Sequence, residues 1–155
     1  MMKPNRKMSQ EDAYKLLKEG KYGVLSMSTK DGIPYGVPLN YFFVPEENAL
    51  YIHCFIKGRK LDYLKENNLV SFVVIGKEEI IPESFVTHYD SIILTGAASL
   101  ITDSEEKTKR LIQLCQALAP ASVERRDEVI KKQLSAVTII KVDVKEITGK
   151  RNRDE

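Results

Sequence analysis

The 155-residue sequence is poor in the residues that carry most metal and nucleophilic chemistry. It holds two histidines (His53 and His88), two cysteines (Cys54 and Cys115) and no tryptophan. Two cysteines without a C-x-x-C spacing do not make a disulfide scaffold, so we expect a reducing, cytoplasmic environment. So few histidines leave most metal sites and many acid–base mechanisms without their usual groups, and we predict no metal site.

Long apolar runs and a charge of one sign are also lacking. No stretch reaches the roughly 18 apolar residues of a membrane-spanning helix, and the basic N-terminus is not followed by the apolar segment of a signal peptide. The 24 basic and 22 acidic residues leave a net charge of +2, which argues against a dedicated nucleic-acid-binding protein. We therefore expect neither a membrane nor a nucleic acid among its partners.

What is present is the composition of an ordinary globular domain, 43% hydrophobic and 30% charged. At about 150 residues per domain the length predicts a single domain, which is large enough to fold without a disulfide or a metal. The polar segments at the two ends, residues 1–8 and 151–155, are predicted as tails of one domain over residues 9–150.

The first third of the sequence predicts a helix followed by an antiparallel meander. Ser9, with a carboxylate three residues later at Asp12, is typical of a capping box. The apolar spacing that follows predicts a helix over residues 10–19 that ends at Gly20. A β-type pattern then predicts three strands joined by short turns, over residues 22–28, 33–44 and 49–54.

The remaining sequence predicts three more strands and three helices. Residues 76–90, which carry charges and Pro82, are predicted as a long loop, and Gly96 is predicted as a bulge within a strand. Six strands with flanking helices favour a mainly β fold, a small antiparallel barrel whose closure removes exposed sheet edges. The helices are predicted over residues 57–68, 103–118 and 122–132, and the strands over residues 69–75, 91–100 and 135–147.

The first candidate site is the basic start of the helix over residues 57–68. Gly58 would let the backbone come close to a ligand, and Arg59 and Lys60 add positive charge to a helix N-terminus, which itself favours an anion. The arginine fork suits the oxygens of a phosphate. The same residues are also compatible with an ordinary solvated helix start.

The second candidate site is the run Tyr35–Tyr41. Gly36 and Pro38 interrupt a hydrophobic stretch, which a central strand would resist. Either a flat ligand lies against this backbone, or the run is an edge strand or a bulge.

Taken in order, these segments resemble the pyridoxamine 5′-phosphate oxidase-like, FMN-binding split-barrel superfamily, and within it the 5-nitroimidazole resistance proteins. The resemblance covers about residues 8–150, and it depends on the ordered set of segments rather than on any one of them. The segments include Asp31–Tyr41, Tyr51–Cys54, Gly58–Asp62, Ser91–Gly96 and Glu146–Lys150.

The resemblance implies a six-stranded antiparallel split barrel that forms a homodimer with FMN at the subunit interface. It places Arg59 and Lys60 on the FMN phosphate, with Gly58 beside them. It places Ile52 and His53 near the flavin ring and the ribityl chain. The remaining positions that it implies at the cofactor are Val37, Pro38, Leu39 and Asn40 along the ring, and Ser91 at a polar contact.

The resemblance bears on the two histidines, whereas the two cysteines are placed by the strand and helix patterns. It puts His53 beside the flavin, where a near-neutral pKa suits proton donation, whereas a single histidine on a strand is otherwise more often structural. His88 either lines the same pocket from the partner subunit or is a surface residue. Cys54 points to the opposite side of its strand from His53, and Cys115 lies on an apolar helix face, so both are predicted in the core.

Departures from the family pattern bear on the reaction. The oxidases carry a phosphate-binding arginine near the position of Gly36, and they carry a substrate-binding arginine and histidine near their C-terminus. This sequence lacks all three of these residues. Their absence argues against pyridoxamine phosphate oxidation itself. The resistance proteins, in turn, often carry histidine where Arg59 stands.

The leading functional hypothesis is an FMN-dependent oxidoreductase that passes hydride from reduced flavin to a nitroaromatic or similar small electron-poor compound. A flavin-binding module without turnover, such as a redox sensor, shares the same cofactor residues, and a related oxidase acting on another substrate stays open. A third class is a barrel that stacks single-stranded nucleic acid on exposed aromatic side chains, against which the net charge argues. Its stacking residues would be Tyr41, Phe43, Tyr51 and Phe55.

Overall fold

The computed structural model describes residues 4–153. Over that range the chain forms one antiparallel sheet of seven strands and four α-helices, and none of these helices is long and apolar enough to cross a membrane. The helices are α1 (Gln10–Glu19), α2 (Arg59–Glu66), α3 (Ser104–Leu118) and α4 (Arg126–Gln133). The strands are β1 (Tyr22–Ser28), β2 (Pro34–Asn40), β3 (Phe42–Val44), β4 (Ala49–Phe55), β5 (Leu69–Ile81), β6 (Val86–Ile101) and β7 (Val137–Asn152).

Helix α1 begins and ends where the sequence predicts. The Ser9 hydroxyl accepts a hydrogen bond from the Asp12 N–H at 3.0 Å, and the chain leaves the helix at Gly20. Ala13 and Leu17, one turn apart, are fully buried. The apolar face of α1 therefore closes over the main core, while its charged face remains in solvent.

The prediction of one strand over residues 33–44 is wrong. The segment forms β2 and β3, which Tyr41 separates, and these two strands lie at opposite ends of the sheet order β2-β1-β5-β6-β7-β4-β3. The predicted meander is wrong for the same reason, since β2 pairs with β1 while β4 pairs with β3 and β7. The break is held by the Tyr41 side chain, whose hydroxyl donates to the Leu17 carbonyl at 2.6 Å.

The sheet curls into a barrel that is split between β2 and β4. Tyr35 and Val37 of β2 pack against the same buried cluster as Leu50 and Ile52 of β4, although these two strands are not hydrogen-bonded neighbours in the sheet order. The mainly β split barrel with flanking helices is thereby confirmed. It has seven strands over the described range rather than the six predicted.

A second, smaller core lies between the outer face of the sheet and the helices α3 and α4. Two buried cations hold this layer in place. The Lys107 amine donates to the carbonyls of Leu134 and Val137 at 2.6 and 2.9 Å, and the Arg110 guanidinium donates to the Glu47 carboxylate at 2.8 Å. Because each buried charge has hydrogen-bond acceptors, the layer avoids the large cost of an unpaired buried cation.

Residues 76–90, predicted as a loop, form a β-hairpin instead. Strand β5 runs on to Ile81, a 3₁₀ turn spans Pro82–Ser84, and β6 begins at Val86. We refer to the hairpin segment Lys77–Tyr89 as the arm. Most of its residues are exposed, and because they cover no core they lack the apolar alternation by which a strand is recognised in sequence.

Parts of the predicted tails are held by the domain. Residues 1–3 and 154–155 lie outside the described residues. Met8 is 5% exposed, and its N–H donates to the Gly149 carbonyl at 3.0 Å. At the other end β7 continues to the buried Asn152, so the predicted boundaries at 8/9 and 150/151 are not boundaries of the folded structure.

The bulge predicted at Gly96 is confirmed. The pairing of β6 with β7 changes register between Thr95 and Gly96, and a β-carbon at Gly96 would overlap the Asp143 carbonyl oxygen. Two backbones meet here more closely than any side chain permits, which explains the glycine.

Replacing Gly96 by alanine is therefore expected to lower the free energy of unfolding by about 1–3 kcal/mol, the usual cost of overpacking a site that cannot relax. Gly36→Ala is the matched control, because a β-carbon there would lie 3.6 Å from Val24 and 3.7 Å from the Ser26 hydroxyl, at ordinary contact distance. Urea unfolding of both variants measures the difference. Equal losses at the two positions would contradict the close approach at Gly96.

Candidate functional site

The basic start of α2 lies directly after β4. Gly58 is the N-cap residue, with φ +142°, a backbone conformation that glycine adopts without strain. Its carbonyl accepts from the N–H groups of Leu61 and Asp62 at 3.0 and 3.3 Å. Gly58 has no side chain to cap the helix, and the space where a β-carbon would stand is open. The first turn of α2 therefore presents N–H groups to an incoming anion.

Arg59 and Lys60 add two cations to this turn. Arg59 is exposed, and its guanidinium carbon lies 5.3 Å from the ring centroid of Tyr35, at the start of β2. The Tyr35 ring packs in turn against Tyr63 of α2, with the ring centroids 5.4 Å apart. These contacts join the basic turn to the beginning of β2. Tyr35 belongs to the candidate run Tyr35–Tyr41, whereas Tyr63 was not predicted as a site residue, although it stands four residues after Arg59 and so one helical turn away from it.

Strand β2 forms one side of the split in the barrel, and we refer to this split between β2 and β4 as the cleft. Strand β2 is an end strand of the sheet, so the edge-strand alternative for its Gly and Pro is confirmed. Val37 and Leu39 are half-buried toward the main core, and Pro38 and Asn40 are exposed. The Asn40 side-chain amide donates to the Lys21 carbonyl at 3.1 Å, which leaves its own carbonyl oxygen available. This wall offers apolar surface and a free strand edge.

Strand β4 forms the opposite wall. Strand β3 pairs with β4 only up to Tyr51, so from Ile52 to Phe55 that edge of β4 is not paired with β3. His53 and Phe55 point to the same side and are both exposed, whereas the Ile52 side chain is fully buried in the core. The predicted contact of Ile52 with a cofactor would therefore have to use its backbone.

The surroundings of the two reactive side chains of β4 shift their pKa values in opposite directions. Desolvation lowers the pKa of His53, so its neutral form dominates at pH 7 more than for an ordinary histidine. Burial raises the pKa of the Cys54 thiol, with Lys60 acting weakly in the opposite direction. Cys54 is therefore a protonated core residue, as predicted, and His53 can accept a proton at neutral pH.

Ser91 and His88 lie away from this cleft within one chain. Both are on β6, and β6 is separated from β2 by β5 and β1, a distance of about 14 Å at roughly 4.8 Å per strand. Arg59 adjoins Tyr35 of β2, His53 lies on the neighbouring β4, and Ser91 is on neither of these strands. The predicted contact of Ser91 with the same cofactor requires a second subunit.

The aromatic residues considered for nucleic-acid stacking do not form an exposed platform. Tyr41 and Tyr51 are each 1% exposed. Tyr51 donates to Glu47, and its ring carries the Arg110 guanidinium at 4.0 Å. Only Phe55 of the four is well exposed, so the described surface does not support the nucleic-acid alternative.

Two other features of the described chain bear on the choice of site. No group of three or more His, Cys, Asp or Glu residues within residues 4–153 could hold a metal ion. A separate cavity of about 630 Å³ lies between α1 and β3, lined by Tyr14, Phe43 and Pro45 among others. It lies at the Asn48 end of β4, some seven residues or about 20 Å from the basic turn, and it does not share that turn.

The cleft between β2 and β4 thus combines three properties. It has a cationic helix start at one end, apolar strand surface along its length, and one histidine on its wall. These properties match a ligand that has an anionic group at one end and a flat apolar surface along its length.

Several solved structures share this fold. A candidate 5-nitroimidazole antibiotic resistance protein from Bacteroides thetaiotaomicron is 21% identical, with a TM-score of 0.75 over 93% of this chain and 85% of that one. A flavocytochrome from Azotobacter vinelandii is 19% identical, with a TM-score of 0.80 over 99% and 73%. An FAD-binding protein from Mesorhizobium loti is 20% identical, with a TM-score of 0.67 over 95% and 97%.

No curated protein sequence matches this chain. The family model described as pyridoxamine 5′-phosphate oxidase, however, matches residues 9–151. That range includes both walls of the cleft and the basic turn between them. The chain therefore belongs to the pyridoxamine 5′-phosphate oxidase family.

Proposed function

We propose that this protein binds FMN in the cleft between β2 and β4 and uses it to reduce nitroaromatic or similar small electron-poor compounds. The observation that carries the proposal is the start of α2, where Arg59 and Lys60 follow an uncapped Gly58 with open space beside it and Arg59 adjoins Tyr35 of β2. An FMN phosphate is a dianion that matches two cations and a helix N-terminus. The apolar surface of β2 suits the isoalloxazine ring.

The comparisons support the cofactor class and, less directly, the substrate class. Two of the structures that share the fold are a flavocytochrome and an FAD-binding protein. FMN is preferred here because the cleft has one phosphate-binding turn and the sequence lacks the Gly-x-Gly-x-x-Gly of a dinucleotide-binding fold. The similarity to a candidate 5-nitroimidazole resistance protein supports a nitroaromatic substrate. The missing arginines noted in the sequence disfavour pyridoxamine phosphate.

The chain's own residues would position the cofactor and supply a proton to the substrate. When bound, FMN supplies the hydride-transfer chemistry, and the protein contributes orientation and electrostatics. Arg59 and Lys60 anchor the phosphate, and Val37 to Asn40 fix the plane of the ring. His53, whose imidazole is exposed on β4, would hold the proton that a reduced nitro group takes up. Phe55, exposed beside it, offers a flat apolar surface for an aromatic substrate.

A flavin-binding module without turnover is the second candidate, and one observation favours it. The lowered pKa of His53 leaves little of its acid form at neutral pH. A cofactor carrier or redox sensor needs no proton donor, whereas an enzyme would need His53 to regain its proton near the negative charge of a reduced cofactor.

We propose further that the protein is a homodimer. The outer face of β1, β5 and β6 is apolar: Val24, Val73 and Ile93 lie opposite one another across the three strands, and Val24 and Ile93 are 40% and 51% exposed. Tyr22 and Ile75 extend the same face, at 68% and 65%. A contiguous apolar sheet face of this kind marks an interaction surface. Burying it against a second copy would also bring Ser91 of one subunit toward the other subunit's cleft.

Arg59→Ala combined with Lys60→Ala is expected to raise the Kd for FMN by about 100-fold or more, since each charge-assisted hydrogen bond to phosphate is worth roughly 1.5–3 kcal/mol. Fluorescence titration of the apoprotein measures the change. The control, Lys131→Ala with Lys132→Ala, removes the same charge from the exposed face of α4 and is expected to bind FMN normally. Equal weakening by both pairs would remove the phosphate site from α2.

At acidic pH, where His53 carries its proton, His53→Gln is expected to slow the anaerobic reoxidation of reduced protein by a nitroaromatic compound about 100-fold, the lower range of general acid catalysis. Because the pKa of His53 is lowered, its acid form disappears as pH rises through a value below about 6.5. The wild-type rate should therefore fall with rising pH in that range, and the variant should lose this dependence while binding FMN as before. A wild-type protein that binds FMN but is never reoxidised by nitro compounds is the non-catalytic module.

Ile93→Lys is expected to convert the dimer to a monomer, because a charge at the centre of a buried apolar face is left without a partner. Light scattering after gel filtration measures the mass. Val123→Lys is the control, since Val123 is equally exposed, at 55%, but precedes α4 and lies outside the face. A wild-type monomer at micromolar concentration would overturn the proposed dimer.

A further inference from the structure

Within a single subunit the arm exposes large apolar side chains to solvent. Phe85, at its tip, is 97% exposed and has φ +53°, the left-handed conformation that bulky residues seldom adopt. Ile80 is 64% exposed. An exposed apolar tip on a hairpin that lies outside the barrel core indicates an interaction surface.

The arm is also acidic. Glu78, Glu79 and Glu83 are all exposed and Lys77 is the one basic residue among them, apart from His88. The start of α2 has the opposite character, because Lys57 and Arg59 are exposed beside Lys60. These are two local charges of opposite sign on a chain whose net charge is only +2.

We propose that the acidic arm of each subunit docks on the basic start of α2 in the other subunit, and so closes the phosphate end of the partner's cleft. The inference builds on the homodimer proposed above, and it adds the orientation of the two copies and the part that one contributes to the other's site.

The arm and the basic turn cannot easily meet within one chain, because they stand at opposite ends of the sheet. The basic turn adjoins Tyr35 at the start of β2, and α2 is tied to Ser28 at the end of β1 by the Asn67 side chain. The arm begins after Ile75, at the other end of β1. Seven residues of strand, or about 20 Å, separate the two.

Symmetry then limits how two copies can bring these charges together. An isologous dimer that buries the same sheet face from both subunits has its two-fold axis in the plane of the interface. If the axis runs along the strands, arm meets arm and basic turn meets basic turn. If the axis runs across the strands, each acidic arm meets the partner's basic turn. Like charges in direct apposition are unfavourable and opposite charges are favourable, so the second arrangement is preferred.

The arm also continues the proposed dimer face. Ile75 and Ser91 are partners on the outer face, and beyond the bulge at residues 76–77 the outer-face pairs are Glu78 with Tyr89 and Ile80 with Thr87. The apolar surface thus runs from the barrel onto the arm through Ile80. In the docked arrangement the phosphate takes Arg59 and Lys60, and Lys57 remains for the arm.

Charge reversal in mixed dimers tests this contact. Variant one carries Glu78→Lys and Glu83→Lys on the arm, and variant two carries Lys57→Glu at the basic turn. In the FMN-bound protein, where the phosphate occupies Arg59 and Lys60, each variant alone opposes like charges at both copies of the contact. When the two variants are mixed one to one, each heterodimer holds one contact between two wild-type elements and one contact between two reversed elements. Both contacts are attractive.

Native mass spectrometry at low ionic strength, with one variant carrying a longer tag, is expected to show about a tenfold or greater excess of heterodimer over the statistical proportion. The control pairs Lys57→Glu with Glu124→Lys and Glu128→Lys, which carry the same charge change near and on α4, and should give no excess. Thermal unfolding checks that every variant folds.

The outcomes separate the two proposals. A wild-type protein that is monomeric overturns the homodimer, and the docking contact with it. A wild-type dimer whose reversed variants mix only statistically leaves the homodimer standing and overturns the docked arm.

Discussion

The burial of Tyr41 between α1 and the sheet is the constraint on which the rest of the structure depends. Its hydroxyl donates to Leu17 of α1, its ring meets Phe72 of β5 edge-on at 5.0 Å, and its N–H donates to the Lys21 carbonyl at 3.2 Å. Because one residue is fixed on three sides, the chain cannot continue β2 into β3 on the same edge. The two strands separate to opposite ends of the sheet, and the gap between β2 and β4 is the cleft.

The two ends of this cleft differ in how firmly they are held. The basic turn belongs to a helix whose Leu61 and Leu64 are buried in the main core, so its backbone donors are rigidly placed. The rest of the cleft is bounded by the edges of β2 and β4, where Val37 and Leu39 are half-buried and His53 is exposed. In the proposed FMN site, an anchor fixed in this way would hold the phosphate while the residues beside the ring vary, which is how function varies on a shared fold.

Local signals in the sequence were sufficient for elements that interact with their own neighbours. The Ser9 cap, the strand over residues 22–28, the bulge at Gly96 and the basic turn at Gly58 could all be predicted, because each depends on residues close by in sequence. The division at Tyr41 could not, since a buried tyrosine in an apolar run looks like a strand residue until its partner Leu17 is known. The arm was missed because a hairpin outside the core has no buried face to mark it. The contact between Tyr35 and Tyr63 was missed because it joins two elements that are distant in sequence.

The exposed edge of β2 affects the solubility of the protein. An exposed strand edge is ordinarily a template on which another chain can add a strand, and this is the first step of many aggregates. Pro34 and Pro38 lie on β2, and a proline has no N–H to donate to an added strand. The edge can therefore bind a flat molecule through its surface and carbonyl groups while resisting polymerisation. The two prolines thus protect the edge that the proposed cofactor site leaves unpaired.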